Sequence, residues 1–193
     1  SRFVRFEKVA PGQGQWPIWE SKSQPRLVEG RWEVTFLQGG PVIPSPTSID
    51  SLGSWTEFGS DDVTSFAGTA RYRIEVEVPA ALATASLLSL GDVRESARVR
   101  WNGEEVQTLV ANPYQCVVRN VRGGKNVLEI DVTNLSANRI RDLDRRKVEW
   151  RKFYDINFVN LNYKPFDASE WMLRPSGLLG PVTLEPLAIK AFE

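Results

Sequence analysis

Between residues 66 and 79 the chain reads FAGTARYRIEVEVP, in which Ala70, Tyr72, Ile74, Val76 and Val78 alternate with Arg71, Arg73, Glu75 and Glu77. A period of two places the apolar set on one face, which predicts a half-buried antiparallel strand with an ion-paired outer face. Pro79 ends it, because proline cannot donate to a ladder. Shorter apolar runs recur around it, at 31–37, 85–90, 96–101, 104–110 and 114–121. Residues 125–135 alternate again, with Val127, Ile130 and Val132 expected inward, and 181–192 read as one or two closing edge strands. Asn102-Gly103 separates two of these runs and suits a type I′ hairpin, whose two central residues need positive φ. Seven or eight strands and no long helix make the expected class all-β, a two-sheet antiparallel β-sandwich of the jelly-roll kind.

Three segments do not fit a minimal sandwich. Residues 8–30 are rich in Pro, Gly, Gln and Ser around Trp16 and Trp19, so 1–29 are expected to be an arm or linker and 30–193 the sandwich. Residues 38–54 read as a long loop, and 136–180 as the longest irregular stretch; loops of that length are usually functional. No apolar run approaches the ~20 residues needed to cross a bilayer. The opening SRFVRFEKVAPGQGQW lacks the apolar core of a secretory signal and an initiating Met, which suggests a mature product or an excised piece.

Composition narrows the chemistry. The chain has 193 residues, no His, one Cys, and 24 Lys+Arg against 24 Asp+Glu. Without His, every Ser-His-Asp or Cys-His triad and every His-bearing metal site is excluded. Cys116 has no partner for an internal disulfide, and in its apolar strand it reads as inert core. Zero net charge leaves no electrostatic footprint for nucleic acid or an anionic membrane, so neither is expected as a partner.

The informative segment is 138–171. NRIRDLDRRKVEWRK at 138–152 is dominated by charge and reads as a solvated segment with about one helical turn around Ile140 and Leu143. From Trp150 to Trp171 follow seven aromatics, with Asn157, Asn160 and Asn162 between them. So much aromatic surface must pack on the sandwich, on another domain or on a ligand, since its exposure costs roughly 25 cal/mol per Å². Sugar recognition uses these groups: pyranose faces stack on rings while amides and Arg bind hydroxyls. Asn138, Arg139, Trp150, Tyr154, Asn162, Tyr163 and Trp171 form the candidate carbohydrate site, and Asn112 with Tyr114 a second cluster. The acidic pair Asp61-Asp62, in GSDDVTS, offers oxygens to a structural calcium but lacks the EF-hand repeat. No position is assigned a catalytic role; a free-standing enzyme would need to pair Asp142 or Asp144 with Asp155 or Glu170.

GRWEVTF (30–36), LGSWTEF (52–58), SFAGTARYRIEVEVP (65–79), LGDVRESARVRWNGEEV (90–106) and GGKNVLEIDVTN (123–134) together resemble the galactose-binding-like sandwich of family 2 glycoside hydrolases. NLSANRIRDLDRR (134–146), WRKFYDINFVNLNYKPFDASEW (150–171) and SGLLGPVTLEP (176–186) resemble the C-terminal end of glycoside hydrolase family 106, the α-L-rhamnosidases. The resemblance implies that catalysis, by inversion and with calcium, resides in a separate (β/α)8 barrel upstream. The family's catalytic residues have no positions in this chain. It implies a secreted or periplasmic, non-catalytic carbohydrate-binding module that binds plant or algal cell-wall polysaccharide. The alternative is a structural domain that packs on the barrel and stabilises it.

Overall fold

A computed structural model describes residues 18–152 and 164–190. Thirteen strands and two helices are present among them. The larger sheet has six strands. Its centre is β5 (Ala67–Val78), flanked by β3 (Trp32–Gly40) and β11 (Gly124–Thr133); β4 (Thr47–Ile49), β8 (Ser96–Trp101) and β9 (Glu104–Leu109) complete the order β4-β3-β5-β11-β8-β9. The facing sheet runs β1 (Trp19–Ser21), β13 (Thr183–Ile189), β6 (Ser86–Ser89) and β10 (Gln115–Val118), with β2 (Arg26–Leu27) also on β13. A two-stranded ribbon joins β7 (Asp92–Arg94) to β12 (Gly177–Gly180). All strand pairs in these sheets are antiparallel, and the fold is a β-sandwich.

The alternation of β5 is realised as expected. Ala70, Tyr72, Ile74 and Val78 are buried, while its charged residues face outward. There Arg71 Nε and Nη2 meet Asp131 Oδ1 and Oδ2 at 2.7 and 3.1 Å, and Arg100 Nη1 meets Asp131 Oδ2 at 2.7 Å. Burial pushes the Asp131 carboxyl up, but its bonds to Arg71 and Arg100 outweigh this and hold it below the usual range. The Asn102-Gly103 turn has φ of 52° and 82°, the two positive values that a type I′ hairpin requires. Cys116 is buried, and desolvation raises its thiol to about 11, which suppresses the reactive thiolate.

Four expectations change. Val127 is not in the core: Asn126, Leu128, Ile130 and Val132 point inward, and Val127 shares the outer face. The inward amide is useful there, because Asn126 Oδ1 accepts from Trp101 Nε1 (3.2 Å), Asn102 Nδ2 (3.0 Å) and Arg122 N (3.0 Å). Its Nδ2 donates to the carbonyls of Arg122 and Gly124 at 2.8 and 3.0 Å. The last strand, β13, is central rather than an edge. Pro186 is tolerated because it lies opposite the break between β1 and β2, where its carbonyl accepts from Lys22 N at 2.8 Å. Residues 38–54 contain the end of β3 and all of β4, so they are not one loop. The final part of the supposed arm is sheet as well: β1 and β2 add to β13, and Val28 enters the core.

The core is anchored by an aromatic triad. Phe36, Trp55 and Phe66 lie 5.0–5.8 Å apart between ring centroids, at tilted or edge-on angles. Gly177 (φ +99°) passes so close that a Cβ there would collide with the Tyr72 hydroxyl and Trp55. The Tyr72 hydroxyl accepts from Leu178 N at 3.2 Å, and burial pushes the phenol well above its usual value. No helix among the described residues is long and apolar enough to cross a membrane.

Replacing Asn126 with Ala orphans the Trp101 indole N–H and the groups of the 122–124 turn. The expected loss is about 2–4 kcal/mol, because several buried polar groups lose partners together. Urea unfolding would show a lower midpoint at unchanged slope, and a loss near zero would refute this role for the amide.

Candidate functional site

At the end of β11 the chain is pinned by side-chain amides. Asn134 Oδ1 accepts from Gly68 N (2.9 Å), and its Nδ2 donates to Phe66 O (3.0 Å) and Ser176 Oγ (3.1 Å). Helix α2 (Ala137–Arg145) starts here, a nine-residue helix where about one turn was expected. Asp142 explains part of the extension: it accepts from Arg139 at 3.0 Å and from Arg146 at 2.7 Å, pairs spaced i,i+3 and i,i+4. Asn138, on its first turn, is buried. It binds both backbone groups of Arg174 at 2.8 Å and approaches Ser176 Oγ at 3.4 Å. Ser176 N donates in turn to Ser54 Oγ at 3.0 Å, and Ser176 O accepts from Trp55 N at 3.0 Å.

The helix stops at Lys147, whose φ of +56° is in the left-handed region. Val148 N donates to Leu143 O (2.9 Å) and Lys147 N to Asp144 O (3.0 Å), the pairing of a Schellman cap. This reversal returns the chain to Asp144. The Asp144 side chain is 4% exposed, and Trp150 Nε1 and Arg151 Nη2 donate to its Oδ1 at 2.7 and 3.1 Å. Ala168 N donates to Oδ2 at 2.8 Å, so one carboxylate joins both ends of the 150–168 stretch. Burial pushes the carboxyl up, but the bonds from Trp150, Ala168 and Arg151 prevail and hold it below the usual range. The Arg151 guanidinium lies 5.7 Å from the ring centres of both Trp150 and Phe166. Phe166 meets Trp150 edge-on at 6.2 Å and Trp171 at 5.5 Å.

These groups frame an open cleft of about 730 Å³, with Lys147, Trp150, Arg151, Phe166, Asp167 and Glu170 among its lining residues. The Asp167 carboxylate accepts from Ser169 N at 2.9 Å, and that bond holds it below its usual value. The arrangement offers ring surface, a fixed guanidinium and exposed carboxylates, which can bind and orient hydroxyls.

The structure sorts the expected site residues into groups. Trp150 lines the cleft. Trp171 sits behind Phe166 and opens instead onto a groove with Arg94 and Glu95. Asn138 is buried and has its amide engaged with Arg174, so it is a staple rather than a surface ligand. Arg139 is paired with Asp142 on the helix. Tyr114 is turned toward the sandwich, its hydroxyl donating to Glu95 O at 2.5 Å; burial and nearby Glu95 push its phenol up. Asn112 is exposed beside it. Tyr154, Asn162 and Tyr163 lie outside the described residues, as do Trp16 and Asp155. Asp61 and Asp62 occupy the first turn of α1 (Asp61–Thr64), where they complement a helix N-terminus capped by Ser60. Among the described residues no group of three or more acidic or Cys side chains converges to hold a metal ion. Asp144 was read only as a possible catalytic acid and not as an acceptor for Trp150, and the stacked Arg151 was not legible as a site residue. Their one signal was an acid-Trp-Arg spacing inside a charged run.

No protein-family model matches the chain. A Formosa agariphila protein named "Putative beta-glucuronidase" is 31% identical over 193 residues, spanning 89% of this chain and 16% of that protein. A solved rhamnosidase from Novosphingobium sp. PP1Y superposes with a TM-score of 0.67 at 27% identity, covering 94% of this chain and 16% of the rhamnosidase. The chain is similar to one segment of larger glycoside hydrolases. A β-D-glucuronidase from Dictyoglomus thermophilum shares the fold, with a TM-score of 0.55 and 17% identity over 91% of this chain and 30% of that enzyme.

The Asp144 clamp sets a pH dependence. A carboxyl held below its ordinary value contributes stability above the unfolded-state value of about 4 and loses it as the pH falls below. The Asp144→Asn variant should therefore melt below the wild type at pH 7, with the gap closing toward pH 3. A gap that stays constant between those two pH values would show that the charge of Asp144 does not stabilise the loop.

Proposed function

We propose that the chain is a non-catalytic, carbohydrate-binding domain of a larger, secreted or periplasmic, rhamnosidase-like glycoside hydrolase that degrades plant or algal polysaccharide. The observation that carries this reading is the cleft at Trp150, in which a clamped carboxylate fixes an indole and a guanidinium beside a second ring. The rings supply surface for a pyranose face, while Arg151, Asp167 and Glu170 supply donors and acceptors for its hydroxyls. Because the protein orders these groups before any ligand arrives, little side-chain entropy remains to be lost on binding.

The similarity to a 16% segment of a rhamnosidase supports the rhamnosidase-like assignment, and so does the SGLLGPV ending. Within the cleft, Asp144 has both oxygens committed to donors and is held ionised, so it has no proton to give as a general acid. Asp142 is likewise tied to two arginines. These commitments favour binding over hydrolysis at this site. Affinity should be on the order of micromolar to millimolar, since few groups are immobilised and water competes for each hydroxyl.

The test is affinity-gel retardation of the purified chain on rhamnogalacturonan, ulvan and xylan, with and without EDTA. One polysaccharide should retard the wild type, and both Trp150→Ala and the milder Glu170→Gln should weaken retardation about tenfold, a loss of ~1.4 kcal/mol. Unretarded migration on every polysaccharide, or full retardation of both variants, would overturn the reading.

A further inference from the structure

We propose that the groove between Leu135, Trp171, Met172 and Pro175 is the surface on which the rest of a longer glycoside-hydrolase polypeptide docks. This inference rests on the reading of the chain as one domain of such a polypeptide, and not on saccharide binding in the cleft.

The surface is unusually apolar for one open to water. Met172 is 83% exposed, Leu135 54% and Trp171 41%. Leu135, Trp171 and Met172, with Ala137 and Pro175, line one groove of about 420 Å³, rimmed by Arg94, Glu95 and Arg174. An apolar centre with a charged rim is the anatomy of a protein interface.

The groove is also held in shape without any partner. Trp171 N donates to Ala168 O at 3.0 Å, and Trp171 O accepts from Arg141 Nε at 2.5 Å. Asn138 fixes both backbone groups of Arg174. Apolar side chains on a backbone tied this way give up little entropy on docking, so their burial is converted efficiently into binding. The Tyr114 hydroxyl secures the opposite wall through Glu95 O.

The occupant follows from length. The chain aligns over nine-tenths of itself with hydrolases of which it makes up 16%. A polypeptide of that kind has most of its mass outside this sandwich, tethered to it at high effective concentration. A second copy of the chain has no such tether.

Met172 makes the test specific, because it is the one methionine among the 193 residues. Peroxide oxidation followed by mass spectrometry would be compared between the isolated chain and the longer polypeptide that carries it. In the isolated chain Met172 should oxidise as an exposed methionine, and in the longer polypeptide roughly tenfold more slowly, since susceptibility follows exposure. Equal rates in the two would overturn the proposal. So would protection in the isolated chain that grows with its concentration, which would assign the groove to self-association. As a second measure, the Met172→Glu and Leu135→Glu double substitution should lower the melting temperature of the longer polypeptide and leave that of the isolated chain unchanged. Equal effects on both would also overturn it. Polysaccharide retardation is read separately, so failure of the cleft and failure of the groove are distinguishable.

Discussion

Two buried polar side chains, Asn138 and Ser176, together with the half-buried Asn134, hold the helix and the clamp that follows it to the sandwich. Asn134 closes β11 onto Gly68 and Phe66, Asn138 holds the chain at Arg174, and both amides reach Ser176 Oγ. Ser176 then ties Ser54 and Trp55 to the start of β12. Asn138 keeps Arg174 and Asn134 keeps Gly68 and Phe66 independently, while Ser176 links the two amides; removing Asn138 would leave the Arg174 backbone groups without their side-chain partner, at a cost of about 1–3 kcal/mol per group. Both the origin of α2 and the return of the chain at 174–176 are set at this junction. The Asp144 clamp lies between these two points along the chain.

The neutral balance of charge acquires a physical meaning from the pairings. Asp131 is shared between Arg71 and Arg100, Asp142 between Arg139 and Arg146, and Asp144 is bound by Arg151. The Asp142 pairs are partly exposed, and pairs of that kind contribute little, typically under about 1 kcal/mol. The Asp131 and Asp144 carboxylates are nearly buried, and Asp144 also accepts an indole and a backbone N–H. Charge-assisted bonds to a shielded acceptor are stronger and more directional than surface pairs. The charged run thus does two jobs: its middle is a solvated helix face, and its end is an anchor for aromatic rings.

The sandwich was legible because its signals are local. Alternation in β5 and the Asn-Gly turn each depend on a few neighbouring residues, and both are realised. The quoted motifs were informative for a reason not visible in them singly: GRWEVTF, LGSWTEF and SFAGTARY each deliver one ring, Phe36, Trp55 and Phe66, to a single cluster. Gly177 of SGLLGPV brings its backbone against Trp55 of that cluster. The errors fall where a long-range partner decides. Val127 was read inward by its hydrophobicity, but the inward position went to Asn126 because Trp101 and the 122–124 turn need its amide. Asn138 looked like a sugar ligand because it is polar, and the residue that claims it, Arg174, lies 36 positions away. The aromatic stretch was recognisable as a packing surface from composition alone, but which rings face which surface depends on an acceptor, Asp144, that reads as one more charge.

Phe166 makes the two surfaces interdependent. It meets Trp150 on the cleft side and Trp171 on the groove side, both edge-on, and Arg151 lies over its ring. Each such ring contact contributes about 0.5–1.5 kcal/mol beyond burial, enough to hold a neighbour's rotamer but not enough to survive a shift of Phe166. Whatever shifts Trp150 therefore acts on a ring that also supports Trp171, and whatever shifts Trp171 acts on a ring that also walls the cleft. Coupling through one shared ring needs no rearrangement of the sandwich. The clamp at Asp144 holds Trp150 and the Ala168 backbone, so two of the groups around that ring are fixed to one carboxylate.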